Sequence, residues 1–145
     1  MKMRNAFLVF GTAVIMLSGC SGSSSSGSTL DMNGTWMIYP TSTSTSIAFE
    51  SFRATLQQSG ASVNSTSVTR SPPSGTVDCS SGSLTMSGAV SGAIFNGILR
   101  NSHWTATFAM SGTSSSLTGN FTMTIASGPC AGAGTVTGTA TMAKV

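Results

Sequence analysis

Four stretches of the chain alternate apolar and polar residues with a step of two, the period of a strand with one face buried and the other wet. Leu84, Met86, Gly88 and Val90 share a face in the first, and Trp104, Ala106, Phe108 and Met110 in the second, with Thr105 and Thr107 between them. In the third, Leu117, Gly119, Phe121, Met123 and Ile125 oppose Thr118, Asn120, Thr122 and Thr124. The fourth sets Val136, Gly138, Ala140 and Met142 against Thr135, Thr137, Thr139 and Thr141. Less regular runs over 35–39, 52–57, 62–69 and 94–100 bring the expected strands to about eight. Between Ile47 and Leu56 the apolar phase moves from Ile47 and Phe49 to Phe52, Ala54 and Leu56, which requires a bulge or a break near Glu50 and Ser51.

Turn signals separate these runs: Ser59-Gly60, Pro72-Pro73 with Gly75, Ser81-Gly82, Ser91-Gly92, Asn101-Ser102, Ser111-Gly112 and Ser127-Gly128-Pro129. Connections this short join antiparallel neighbours, because a parallel pair needs a crossover of a dozen or more residues. No stretch carries a 3.6-residue apolar period, so almost no helix is expected. The expectation is an all-β antiparallel meander closed into a small up-and-down barrel, with a two-sheet sandwich as the alternative. Closure is favoured because lysine and proline, which guard open sheet edges, are nearly absent from the runs.

The polarity comes from Ser and Thr, which suits an exposed pleat. Charge is scarce. Beyond residue 19 the charged side chains are Arg53, Arg70, Arg100 and Lys144 against Asp31, Glu50 and Asp78, a net of +1, and the rest of the basic balance lies in Lys2 and Arg4. Without a run of cations the chain lacks the phosphate-neutralising footprint of a nucleic-acid binder.

Lys2 and Arg4 open an apolar segment from Ala6 to Leu17 that ends in Leu17-Ser18-Gly19-Cys20. The segment is too short to span a bilayer as a helix, which needs roughly 20 residues. A basic start, an apolar stretch, two small residues and cysteine together resemble the lipobox of bacterial lipoproteins. The resemblance implies cleavage of the signal peptide 1–19 between Gly19 and Cys20, a diacylglyceryl thioether on Cys20 and acylation of the new amino group. Single acyl chains hold weakly, whereas two or three on one residue hold almost permanently. Ser21, where many lipoproteins retained at the inner membrane carry aspartate, implies the outer membrane. Residues 20–29 then form the lipidated cysteine and a flexible Ser/Gly linker with roughly 15 to 20 Å of slack, leaving 30–145 as one β domain.

Asn33-Gly34-Thr35-Trp36, at the head of that domain, resembles the Gly-x-Trp opening of lipocalin-like barrels, where the tryptophan closes the barrel floor. The segments Leu56 to Val63 and Gly128 to Gly132 resemble parts of small bacterial lipoproteins with a compact β domain. The chain is shorter than lipocalins and lacks their C-terminal helix.

With Cys20 carrying lipid, Cys79 and Cys130 remain as an intramolecular pair in a compartment where disulfides persist. Their bridge encloses about 50 residues, a loop whose closure is worth about 4 kcal/mol. The alternative is a metal ligand or a reactive thiol, although neither cysteine has a histidine or second cysteine at ligand spacing.

Catalytic candidates are few. His103 is the single histidine, and Asp78 or Glu50 could approach it only through the fold. No serine sits in a Gly-x-Ser-x-Gly elbow, and three carboxylates are too few and scattered for paired-acid chemistry or a hard-cation site. No cofactor is expected, and the protein is read as a non-enzyme. Of the strand arginines, Arg100 falls in phase with Ile94, Asn96 and Ile98, which allows it to point inward and hold an anionic ligand group. A membrane-spanning barrel, with Thr and Ser lining a lumen and Met, Phe and Ile rows on lipid, is a further alternative.

The expected function is a non-catalytic envelope lipoprotein that binds a small apolar molecule or another envelope component. A pocket would be lined by Trp36, Phe52, Trp104, Phe108, Phe121 and Arg100. A purely structural domain would instead fill its interior with those same rings.

Overall fold

Threonine on one side and apolar residues on the other make eight strands in the computed structural model, which describes residues 29–43, 49–71 and 82–145. They are β1 (Gly34–Ser42), β2 (Ser51–Ser59), β3 (Ser62–Ser71), β4 (Thr85–Ser91), β5 (Ile94–Arg100), β6 (Trp104–Gly112), β7 (Ser116–Ile125) and β8 (Thr135–Lys144). Each pairs antiparallel with the next, and β8 returns to pair with β1, closing the barrel in strand order. A single 3-10 turn, Ala131–Ala133, is the helical content of the described residues. Closure removes the sandwich alternative. The leader, Cys20, the linker as far as Ser28, Ile47, Asp78 and Cys79 lie outside the described residues.

The alternating rows divide as their chemistry demands. Along β6, Trp104, Ala106, Phe108 and Met110 are buried while Thr105, Thr107 and Ala109 are exposed, and β7 and β8 repeat the division. This polarity is the reverse of a membrane-spanning barrel, whose outward band must be apolar. The membrane-spanning alternative is therefore corrected: the Met and Phe rows pack against each other inside, and the outer face is mainly hydroxyl side chains.

β2 begins at Ser51, with Phe49 and Glu50 in the approach to it, so the phase change seen in the sequence is a break rather than a bulge. The bulge lies in β3. Thr55 pairs with Ser67 and Leu56 with Ser65, leaving Thr66 as the extra residue, and its hydroxyl donates to the Thr55 carbonyl at 3.3 Å. The inserted residue lets both Val63 and Val68, an odd number of positions apart, turn toward the core.

In β5 the inward phase is Phe95, Gly97 and Leu99, so Ile94, Asn96, Ile98 and Arg100 stand outside. Arg100 is thereby corrected from an inward to an outer-face position. Turning Asn96 and Arg100 inward would bury two polar groups for two isoleucines, whereas the observed phase buries a phenylalanine and a leucine with no such cost. Close approach also selects it. Gly97 pairs with Gly88 of β4 and Phe108 of β6, and a Cβ on Gly97 would stand 2.6 Å from the Phe95 ring.

One end of the barrel is closed by the residues preceding β1. Leu30 and Met32 are buried, and the backbone from Leu30 to Met32 is held by two turns and the end of β2. The Leu30 N–H donates to the Gly92 carbonyl at 3.0 Å, that of Asp31 to the Ser114 hydroxyl at 2.8 Å, and that of Met32 to Gln58 Oε1 at 2.7 Å. Beneath them, the Trp36 indole donates to the Met32 carbonyl. The C-terminus lies at the same end, where the Val145 N–H donates to the Thr35 carbonyl.

Candidate functional site

The five rings expected to line a pocket all point inward, and they fill the barrel. Trp36 is 0 % exposed, Phe52 2 %, Trp104 3 %, Phe108 4 % and Phe121 2 %. A hollow barrel would leave such rings accessible to water from within. Instead, Phe52 meets Trp104 across the interior at 6.0 Å between centroids, Phe108 meets Phe121 at 6.0 Å, and Phe49 stands edge-on to Phe121 at 5.3 Å. These are ordinary aromatic packing distances. Trp36 occupies the closed end, with the Lys144 ammonium 5.8 Å from its ring and 3.8 Å from the Asp31 carboxylate.

At the opposite end, the β5–β6 and β7–β8 connections meet at His103. Asn101 Oδ1 accepts from the His103 and Trp104 N–H groups at 2.8 and 2.9 Å, forming the turn into β6. The His103 carbonyl accepts from Ala126 and Ser127, and its Nδ1 lies 3.0 Å from the Ser127 hydroxyl. Gly128 gives the ring room: a Cβ there would stand 3.0 Å from Nδ1. The pair thus fastens two connections together, and no carboxylate among the described residues touches the imidazole. Glu50 is buried at this end, and Arg70 faces inward opposite Phe52, half-buried. Arg53 is exposed on the outer face of β2. Cys130 is disulfide-bonded, and its partner lies outside the described residues. Among the described residues no three His, Cys, Asp or Glu side chains gather where they could hold a metal ion.

A feature the sequence did not disclose lies on the outer wall. A groove of about 510 Å³ runs across β4, β5, β6 and β7. Seven of its lining residues belong to the outward phase: Ala89, Asn96, Ile98, Thr107, Ala109, Asn120 and Thr122. Between them the chain dips inward at Gly88, Gly97, Phe108 and Phe121. Gly88 and Gly97, paired with each other, let the two strands close over the Phe95 ring, and a Cβ on Gly88 would strike the Asn96 carbonyl oxygen. The signal in the sequence was the pair of asparagines, Asn96 and Asn120, each interrupting an outward row of β-branched residues; only the register shows that they share one line.

Compared with family models and with curated protein sequences, the chain matches none.

Proposed function

We propose that this chain is a bacterial envelope lipoprotein, anchored through acylated Cys20, whose solid non-catalytic barrel acts through its outer surface on another envelope component. The anchoring rests on the leader and on Leu17-Ser18-Gly19-Cys20, and the outer membrane on Ser21. The single observation behind a surface role is the exclusion of space inside: the rings that a carrier would turn toward its ligand are packed against one another and shielded from water. The linker places the barrel within a short flexible reach of the bilayer. The segment at Leu30, where the leash joins the barrel, lies at the closed end.

Uptake of a fluorescent apolar probe distinguishes this reading from that of a small-ligand carrier. A filled interior gives no saturable binding by the native protein, whereas stoichiometric, saturable uptake abolished by Phe108→Trp would establish the carrier role instead.

A further inference from the structure

The groove on the outer wall has a regular chemical pattern. Register places Ala89, Asn96, Ala109 and Asn120 in one line across β4 to β7, each directly beside the next. Alanine and asparagine therefore alternate with a period of two strands, about 9.5 Å. A parallel line, Ile98, Thr107 and Thr122, forms the adjoining wall. Ile98 is 41 % exposed, unusual for so large an apolar side chain, and it lies in the groove. No charged residue lines it; Arg100 stands one line farther along β5. Neither asparagine carboxamide is engaged by another group among the described residues.

The lining offers no ion pair, so an occupant is held by hydrogen-bonding groups at an interval of two strands and by apolar C–H surface against the alanines and the adjoining Ile98. A β-1,4-linked pyranose chain meets these conditions. Its repeat is a disaccharide close to two strand spacings long, and its ring faces carry axial C–H groups. When the sugars are N-acetylated, each acetamide presents an N–H and a carbonyl that match the acceptor and donors of an asparagine carboxamide. The uncharged lining gives no electrostatic attraction to a polyanion.

We propose that this groove binds a three-sugar stretch of a β-1,4-linked N-acetylhexosamine chain, the backbone chemistry of the bacterial wall. The choice of the wall as its source rests on the envelope location argued above, whereas the sugar recognition does not. Asn96 and Asn120 hydrogen-bond the acetamido groups of the first and third sugars, and Ala89, Ala109 and Ile98 pack against the sugar faces. The site is shallow and open, so binding to a single unit is weak and gains strength along a polymer that engages many tethered copies.

The test uses the full chain purified in detergent, titrated with tetra-N-acetylchitotetraose while amide and carboxamide resonances are followed by NMR. The expected result is saturable shifts confined to Ala89, Asn96, Ile98, Ala109 and Asn120, with cellotetraose, which lacks acetamides, binding at least several-fold more weakly. Asn96→Ala and Asn120→Ala, both on the exposed face, each weaken binding roughly three- to tenfold, with an unchanged melting temperature showing that the barrel is intact. Absence of saturable shifts at millimolar sugar, equal binding of cellotetraose, shifts elsewhere on the barrel, or unaltered affinity in both variants would overturn the proposal. None of these outcomes depends on whether Cys20 is acylated. In a second arm, insoluble cross-linked wall sacculi should co-sediment the wild-type protein and retain the double variant poorly; equal retention of the two contradicts the assignment to wall glycan.

Discussion

Trp36 donates its indole N–H to the carbonyl oxygen of Met32, four residues before it, at 3.0 Å in a fully buried setting. The bond ties the first strand to the segment that closes the barrel. Trp36→Phe keeps most of the apolar volume but leaves the Met32 oxygen buried without this donor. The expected loss is about 1–3 kcal/mol of stability, read as a lower denaturant midpoint at unchanged slope. A variant as stable as the native protein would show that the segment closes the end by burial alone.

Gly97 lies directly beneath the groove. Adding a methyl there forces it against the buried Phe95 ring, 2.6 Å away. Gly97→Ala should destabilise the barrel by about 1–3 kcal/mol. The double variant Gly97→Ala/Phe95→Leu should recover part of that loss, because the smaller side chain vacates the contested position. Additive losses in a double-mutant comparison would contradict the contact.

Cys130 follows the Ser127-Gly128-Pro129 turn and is held by a disulfide. If its partner is Cys79, opening the bridge frees a loop of about 50 residues and removes about 4 kcal/mol. Cys79→Ser and Cys130→Ser should then be equally destabilised, and reductant should have no further effect on either. Unequal single variants, or a reductant effect that persists in Cys79→Ser, would point to a different pairing.

Asp31 titrates below its ordinary value of 3.8, chiefly because the Asn33 backbone N–H donates to its carboxylate at 3.0 Å, helped by the Asn33 carboxamide at 2.8 Å. A depressed carboxylate contributes stability that is present above its ordinary value and lost as pH falls through the lower, folded-state value. The closing segment should therefore be insensitive to pH between about 5 and 7 and should loosen only in strong acid. Amide exchange at Asn33 measures this, and Asp31→Asn should abolish the acid dependence. Loosening that begins near neutrality would assign the effect to another group.

Legibility in the sequence followed the contrast between the two faces of each strand. β6, β7 and β8 were readable because threonine alternates with bulky apolar residues and only one phase can be buried. β5 was not, since both of its phases carry large apolar residues: Ile94 and Ile98 on one, Phe95 and Leu99 on the other. What decided between them was the partner across the ladder, Gly88, which leaves space for Phe95 but none for a displaced backbone. The bulge at Thr66 left only a faint trace, the odd interval between Val63 and Val68. The inward rings are individually legible in the sequence, yet whether they line a space or fill it depends on how far apart opposite walls stand, and no local pattern encodes that distance. The groove was invisible for a related reason. It is a line of residues drawn from four strands, and it exists only once Ala89, Asn96, Ala109 and Asn120 are brought into register.

The envelope reading is tested most directly by the mass of the N-terminal peptide released from the mature protein. It predicts a peptide beginning at Cys20 and heavier by a diacylglyceryl thioether and an amide-linked acyl chain, with both additions absent from Cys20→Ser. A peptide retaining Met1 to Gly19, or one beginning near residue 20 with an unmodified thiol, would contradict it.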